Sequence, residues 1–360
     1  MKYVDEFRDS RAGRKLVAEI REAAPHRPLT LMEVCGTHTM AIARFGIRPL
    51  LPPSIRLISG PGCPVCVTPL KFMDTAVALS RQGLTLAVFG DMMRVPGSAS
   101  SLEREAASGA DVRVVASTLE ALALADRLKP RPVVFLGIGF ETTAPTVAAS
   151  MLEAKRRSLA NYTVLCGHKT MPRALAALAA GNPRPDGYLC PGHVSVVIGS
   201  GAYEGIVRDF GIGCVIAGFE PLDILQAIRM LVIQFKSGAP AVENPYSRAV
   251  TAGGNGRARE VMETVFEPCD SDWRGLGRIQ GSGLSIRPEF ADFDAAVRFP
   301  VSVATASDPP GCRCGEVLTG AVRPAECGLF GTACAPDHPV GACMVSSEGT
   351  CAAAYRYGTD

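Results

Sequence analysis

A chain of 360 residues, 47% hydrophobic and 20% charged, can bury more than one core, which excludes a disordered protein and points to two or three domains. Its 37 Lys and Arg against 35 Asp and Glu leave a formal charge of +2, and no basic run is interleaved with aromatics, so nucleic acid is not an expected partner. The opening MKYVDEFRDSRAGRKLVAEI is broken by charges and no apolar stretch reaches the length of a membrane span, so neither export nor a membrane location is expected and the chain is read as cytoplasmic.

Residues 1–27 carry Val4, Phe7, Leu16 and Ile20 at helical spacing and end near Pro25 and Pro28, which predicts an amphipathic helix. From Leu29 short apolar runs alternate with helical patterns. LTLMEV, IRLISG, LTLAVFG and VRVVAS form a first group of strands, with FMDTAVALSRQG and TLEALALADRLK as helices. PVVFLGIG, YTVLCGH, GYLCPGH and CVIAGF form a second group, with TAPTVAASMLEAKRRS, MPRALAALAAG and PLDILQAIRMLVIQF as helices. Continuous apolar strands between helices signal parallel sheets covered on both faces. The fold class is therefore α/β: two similar parallel-sheet lobes, over 29–127 and 128–238, followed by a Cys-rich region over 239–360 that lacks a long buried pattern.

In open α/β sheets ligands bind beyond the carboxyl ends of the strands. Six unusual turns fall there: Cys35-Gly-Thr-His-Thr39, Gly60-Pro-Gly-Cys-Pro-Val-Cys66, a turn opening on Gly90-Asp91, Gly139-Phe-Glu141, Cys190-Pro-Gly-His193 and Gly218-Phe-Glu220. Cys35 reads as a thiolate ligand for a soft metal or as a nucleophile, and equally as a buried Cys at a strand end. His38 and His193 read as site histidines or as satisfied structural ones. Cys63 and Cys66, ahead of a short helical stretch, read as a redox pair with a lowered thiol pKa; half of a zinc site would need a second pair that does not stand nearby. Asp91, Glu141 and Glu220 are read as cleft acids, with helix capping and turn formation as the plain alternatives.

Thirteen cysteines without an export signal suit metal or redox chemistry better than structural disulfides. Six lie in the last 49 residues, and Cys314, Cys327, Cys334 and Cys351 are spaced C-x12-C-x6-C-x16-C. Loops of that size can wrap an iron–sulfur cubane; zinc takes the same ligands but more often shows C-x2-C pairs.

Five stretches together resemble one family, the HypD hydrogenase-maturation proteins: CGTHT at 35–39, GPGCPVC at 60–66, GFETTAP at 139–145, PGHVSVVIG at 191–199, and the terminal CGEVLTG…CGLFGTAC…VGACMVSSEGTCAAAYRY. They run over nearly the whole chain in the family's order. Ala335-Pro-Asp337 stands where Thr-Pro-Glu is usual. The resemblance implies two α/β lobes, a third domain with a 4Fe–4S cluster, and an N-terminal helix (1–28) packed on that domain. It implies a scaffold without conventional substrate turnover. On it, iron receives two cyanides and one carbon monoxide, in complex with a HypC-type chaperone and a HypE-type cyanide carrier, this chain acting as a monomer within that assembly. The family's iron-site cysteine maps onto Cys35, its redox pair onto Cys63 and Cys66, and its cluster ligands onto Cys314, Cys327, Cys334 and Cys351, with Cys312 able to replace Cys314 and Cys343 able to replace Cys351. A stand-alone thiol oxidoreductase and a zinc-stabilised interaction module are the competing readings.

Overall fold

The computed structural model describes residues 5–304 and 308–358. All eight expected strands form: β1 (Leu29–Glu33), β2 (Ile55–Ser59), β3 (Thr85–Val88), β4 (Val112–Val114), β5 (Val133–Gly137), β6 (Tyr162–Cys166), β7 (Gly187–Pro191) and β8 (Gly213–Ala217). Four of them, β3, β5, β7 and β8, are buried along their whole length, because helices cover both faces. The expected N-terminal helix is α1 (Ser10–Ala23), started by Asp9, whose carboxylate takes the Ala12 N–H at 2.7 Å. Val4 lies outside the described residues.

The strands pair in two parallel sheets, as expected, but not in two contiguous lobes. One sheet has the order β2-β1-β7-β8-β9, with β9 at Val242–Glu243; the other runs β4-β3-β5-β6. The chain lays down β1 and β2, crosses to build the whole second sheet, and returns to add β7, β8 and β9. The division at 127/128 therefore falls inside the second sheet. Apolar runs fix which segments are strands, but pairing is set by burial between distant segments, which leaves no local mark.

Two further expectations are corrected. Helix α1 packs on the helix Pro221–Ser237 of the five-stranded sheet rather than on the Cys-rich region: Gly13 lies against Leu222 and Leu225, and Arg229 pairs with Glu19 at 2.5 Å. Residues 239–360 do not act as one unit either. β9 joins the five-stranded sheet, while β10 (Phe266–Trp273) and β11 (Gly277–Ile286) form a hairpin on the other sheet, where Phe266, Leu284 and Ile286 share a core with Phe135 and Tyr162. Only the segment after residue 308 carries the Cys-rich pattern, and it packs on α2 (Gly36–Arg44) and α3 (Pro64–Val67) through its C-terminal helix Thr350–Tyr357 and the turn Ala342–Met344. Among the described residues no helix is long and apolar enough to cross a membrane.

Candidate functional site

Cys35 sits where β1 hands over to α2. It is the residue before the helix, in extended conformation, and is 8% exposed. Its sulfur lies beside the backbone amides of Thr37 and His38, though it accepts no cap hydrogen bond from them. That cradle favours a thiolate, but burial outweighs it, and with the neighbouring Glu348 charge it pushes the thiol up to about 12. Beneath it, the fully buried Glu33 accepts the Cys35 N–H at 3.3 Å and the Thr39 hydroxyl at 2.6 Å, and burial raises its carboxyl to about 7. Above it, Glu348 accepts the Thr37 hydroxyl at 2.7 Å and lies so close that a Cβ on Gly36 would meet its Cβ at 2.6 Å. Neither glutamate was picked out from the sequence. Glu33 had a signal, a charge inside the apolar run LTLMEV; Glu348 had none, since its segment reaches Cys35 only by folding back.

His38 is fully buried on the other side of the turn. Its Nε2 faces the carbonyls of Gly218 at 2.9 Å and Ala217 at 3.3 Å, so Nε2 carries the proton. Nδ1 is buried without a partner, and burial lowers the imidazole to about 4. His38 is thus neutral near pH 7 and offers an acceptor at Nδ1, not an acidic proton. Phe219 stands beside it with ring centroids 4.8 Å apart and stacks on the exposed His193 at 4.0 Å.

The three candidate acids part company. Asp91 accepts the Ser346 hydroxyl at 2.8 Å, so the segment Ser346–Glu348 runs from the end of β3 in one sheet to the Cys35 turn in the other. Glu220 is committed to Arg8, at 2.9 Å for its second oxygen pair, and to capping the helix Pro221–Ser237. Glu141 accepts the Met171 N–H at 2.9 Å at the start of the helix Met171–Ala179, its other oxygen is buried without a partner, and burial raises it to about 7. A carboxyl raised above its unfolded value holds its proton longer in the folded chain, so folding stability falls as pH rises from about 4.5 to about 7. Glu141→Gln is expected to flatten that part of the stability profile, read as melting temperature against pH beside the parent protein.

The Cys63–Cys66 turn lies directly on this site: the Gly36 N–H donates to the Gly62 carbonyl at 3.1 Å. Cys63 precedes α3 and its sulfur takes the Cys66 N–H at 3.4 Å. Cys66 is fully buried, and burial holds its thiol well above the ordinary value, opposite to the lowering expected for the pair. From Cys66 the sulfurs continue into the terminal segment. Cys343 touches Cys66, Cys314 and Cys351, and Cys314 touches Cys312; the Cys343 N–H points at the Cys314 sulfur at 3.3 Å. All six terminal cysteines line one small pocket with Leu329, Phe330 and Val317. Among the described residues no three His, Cys, Asp or Glu side chains are drawn together as a ready metal site. The donor set nonetheless suits a soft thiolate-bound cluster: the lining holds only thiols, apolar groups and Arg313, and at Gly341 a Cβ would intrude to 2.6 Å from the Cys312 sulfur. Cys190 and Cys214 are buried strand residues, whereas Cys166 is half-buried beside His168 at 3.5 Å.

Comparison with known proteins covers the chain nearly end to end. The sequence model of the HypD family, described as the hydrogenase formation hypA family, matches residues 11–358. The hydrogenase maturation factor HypD of Azotobacter vinelandii is 50% identical over 368 residues, spanning 99% of this chain and 97% of that protein. The factor of the same name from Rhizobium leguminosarum bv. viciae is 47% identical over 99% and 96%, and that of Escherichia coli K12 is 46% identical over 99% and 98%.

Proposed function

The chain belongs to the HypD family of hydrogenase maturation factors, and on that premise we propose that it is the scaffold and redox protein on which the Fe(CN)2CO unit of nickel–iron hydrogenase is assembled. Iron, the cargo, is held by Cys35 together with a HypC-type chaperone, and cyanide arrives from a HypE-type carrier. The observation that carries this reading is the contact sequence from the Cys35 turn through Cys63 and Cys66 to the terminal thiols. It sets a lone soft donor beside a dithiol, which in turn abuts a thiol-rich pocket.

Each residue has a chemical task. Cys35 offers one thiolate, and the Thr37 and His38 amides stabilise its charge once the proton has left. One protein thiolate leaves coordination positions for the diatomic ligands and for the partner. Glu33 fixes the Cys35 backbone, and His38 offers the acceptor Nδ1 towards groups bound there. Cys63 and Cys66 cycle between dithiol and disulfide, one S–S bond forming as two protons and two electrons leave.

A 4Fe–4S cluster, when bound, would supply electrons one at a time. Cys327, Cys334 and Cys351 are three of its ligands in this reading. Cys314 is the fourth, with Cys312 beside it as the thiol that could take its place. Cys327→Ala and Cys334→Ala are expected to lose iron and acid-labile sulfide in anaerobically purified protein. Cys314→Ala should lose them as well and Cys312→Ala should not. Full occupancy in Cys327→Ala overturns the ligand set, and loss in Cys312→Ala with retention in Cys314→Ala puts Cys312 in the place of Cys314. Copurification of the small chaperone separates the scaffold from a stand-alone oxidoreductase.

A further inference from the structure

One sizeable cavity belongs to none of the chemistry above. It measures about 750 Å³ and lies between α2, strand β2 and the C-terminal helix Thr350–Tyr357. β2 is the edge strand of the five-stranded sheet, and all of Ile55–Ser59 lines the cavity. The walls are mainly apolar, with Leu51, Ile55, Val322 and Ala353 among them, and four arginines enter: Arg44, Arg48, Arg56 and Arg323. Among the described residues no Asp or Glu lines it.

The four guanidinium groups are not equally free. Arg48 donates to the Leu57 carbonyl at 3.2 Å and the Ser59 hydroxyl at 3.1 Å, and Arg323 pairs with Glu326 at 3.6 Å. Arg56 donates to the Gly320 carbonyl at 3.2 Å and lies in the field of Glu326 outside the cavity, and Arg44 lies over the Phe45 ring at 5.6 Å. An apolar trough lined by four guanidinium groups and no carboxylate is complementary to a segment that carries carboxylates between apolar side chains.

We propose that this cavity seats an acidic, apolar segment of the protein partner, resting on the scaffold reading for which partner that is. Thr39 lines the cavity and donates to Glu33, which accepts the Cys35 N–H. A segment seated here therefore stands two hydrogen bonds from the iron-binding thiol, and binds the partner to the back of the same turn.

The test uses the full chain and purified HypC-type chaperone. Arg44→Glu and Arg44→Glu/Arg56→Glu are expected to raise the dissociation constant about tenfold or more and to reduce its salt dependence. Val322→Trp, which fills the trough without touching charge, should weaken binding comparably. A photo-crosslinker at Tyr357 should capture the chaperone through an acidic stretch. Melting temperature and cluster content close to those of the parent exclude unfolding as the cause. If the parent binds the chaperone and all three variants bind equally, the seat is wrong and the scaffold reading stands. If the parent does not bind it at all, the scaffold reading fails and takes this inference with it.

Discussion

Cys35→Ala, purified with its chaperone partner, is expected to lose the Fe–CN and Fe–CO infrared bands entirely while keeping the iron and sulfide of the cluster. The effect should be all or none because Cys35 is the only sulfur on its turn, and the nearest alternatives are occupied. Cys66 is fully buried with its thiol held well above the ordinary range, and Cys63 holds the Cys66 N–H. Alanine removes the donor with little damage to the fold. The side chain is small and caps no helix N–H, so its removal breaks no side-chain cap hydrogen bond. A melting temperature near that of the parent would assign the lost bands to lost ligation. Bands that persist unchanged would remove Cys35 from the iron site. Glu33→Gln is the informative neighbour, since it keeps the shape beneath Cys35; retained bands there confine the ligand role to the thiol.

Hydrogenase maturation should fall to background in Cys66→Ser, with cluster content and iron binding at Cys35 retained. A serine oxygen cannot form the S–S bond, so the two-electron step has no substitute. In the parent, thiol trapping across a series of potentials should show two thiols lost together, and peptide mapping should find Cys63 joined to Cys66. The contact between Cys66 and Cys343 makes the competing product, a Cys66–Cys343 bond, the one to look for. Finding that bond alone would move the redox pair one step towards the terminal thiols, and maturation at the parent level in Cys66→Ser would end the redox role.

What the sequence determined by itself is whatever a short window encodes. Period and apolar run length placed eight strands within three residues at either end, because a strand buried on both faces must be apolar along its length, as most of these are. The same windows put Cys35, the Cys63–Cys66 pair and Gly-Phe-Glu turns at strand ends, and five long motifs identified the family. Tertiary structure decided which windows meet. It interleaved the two sheets, turned α1 onto the helix Pro221–Ser237, and split residues 239–360 among three neighbourhoods. It also separated look-alike residues: Glu141 and Glu220 each follow Gly-Phe, yet one is buried against Met171 and the other pairs with Arg8. It brought Glu348 onto Cys35 from 313 positions away in sequence, and it raised the Cys66 thiol that a helix start alone would have lowered. The physical reason is common to all of these. Backbone preference and amphipathicity act over a few residues, whereas desolvation, charge pairing and strand register depend on groups that become neighbours only when the chain has folded.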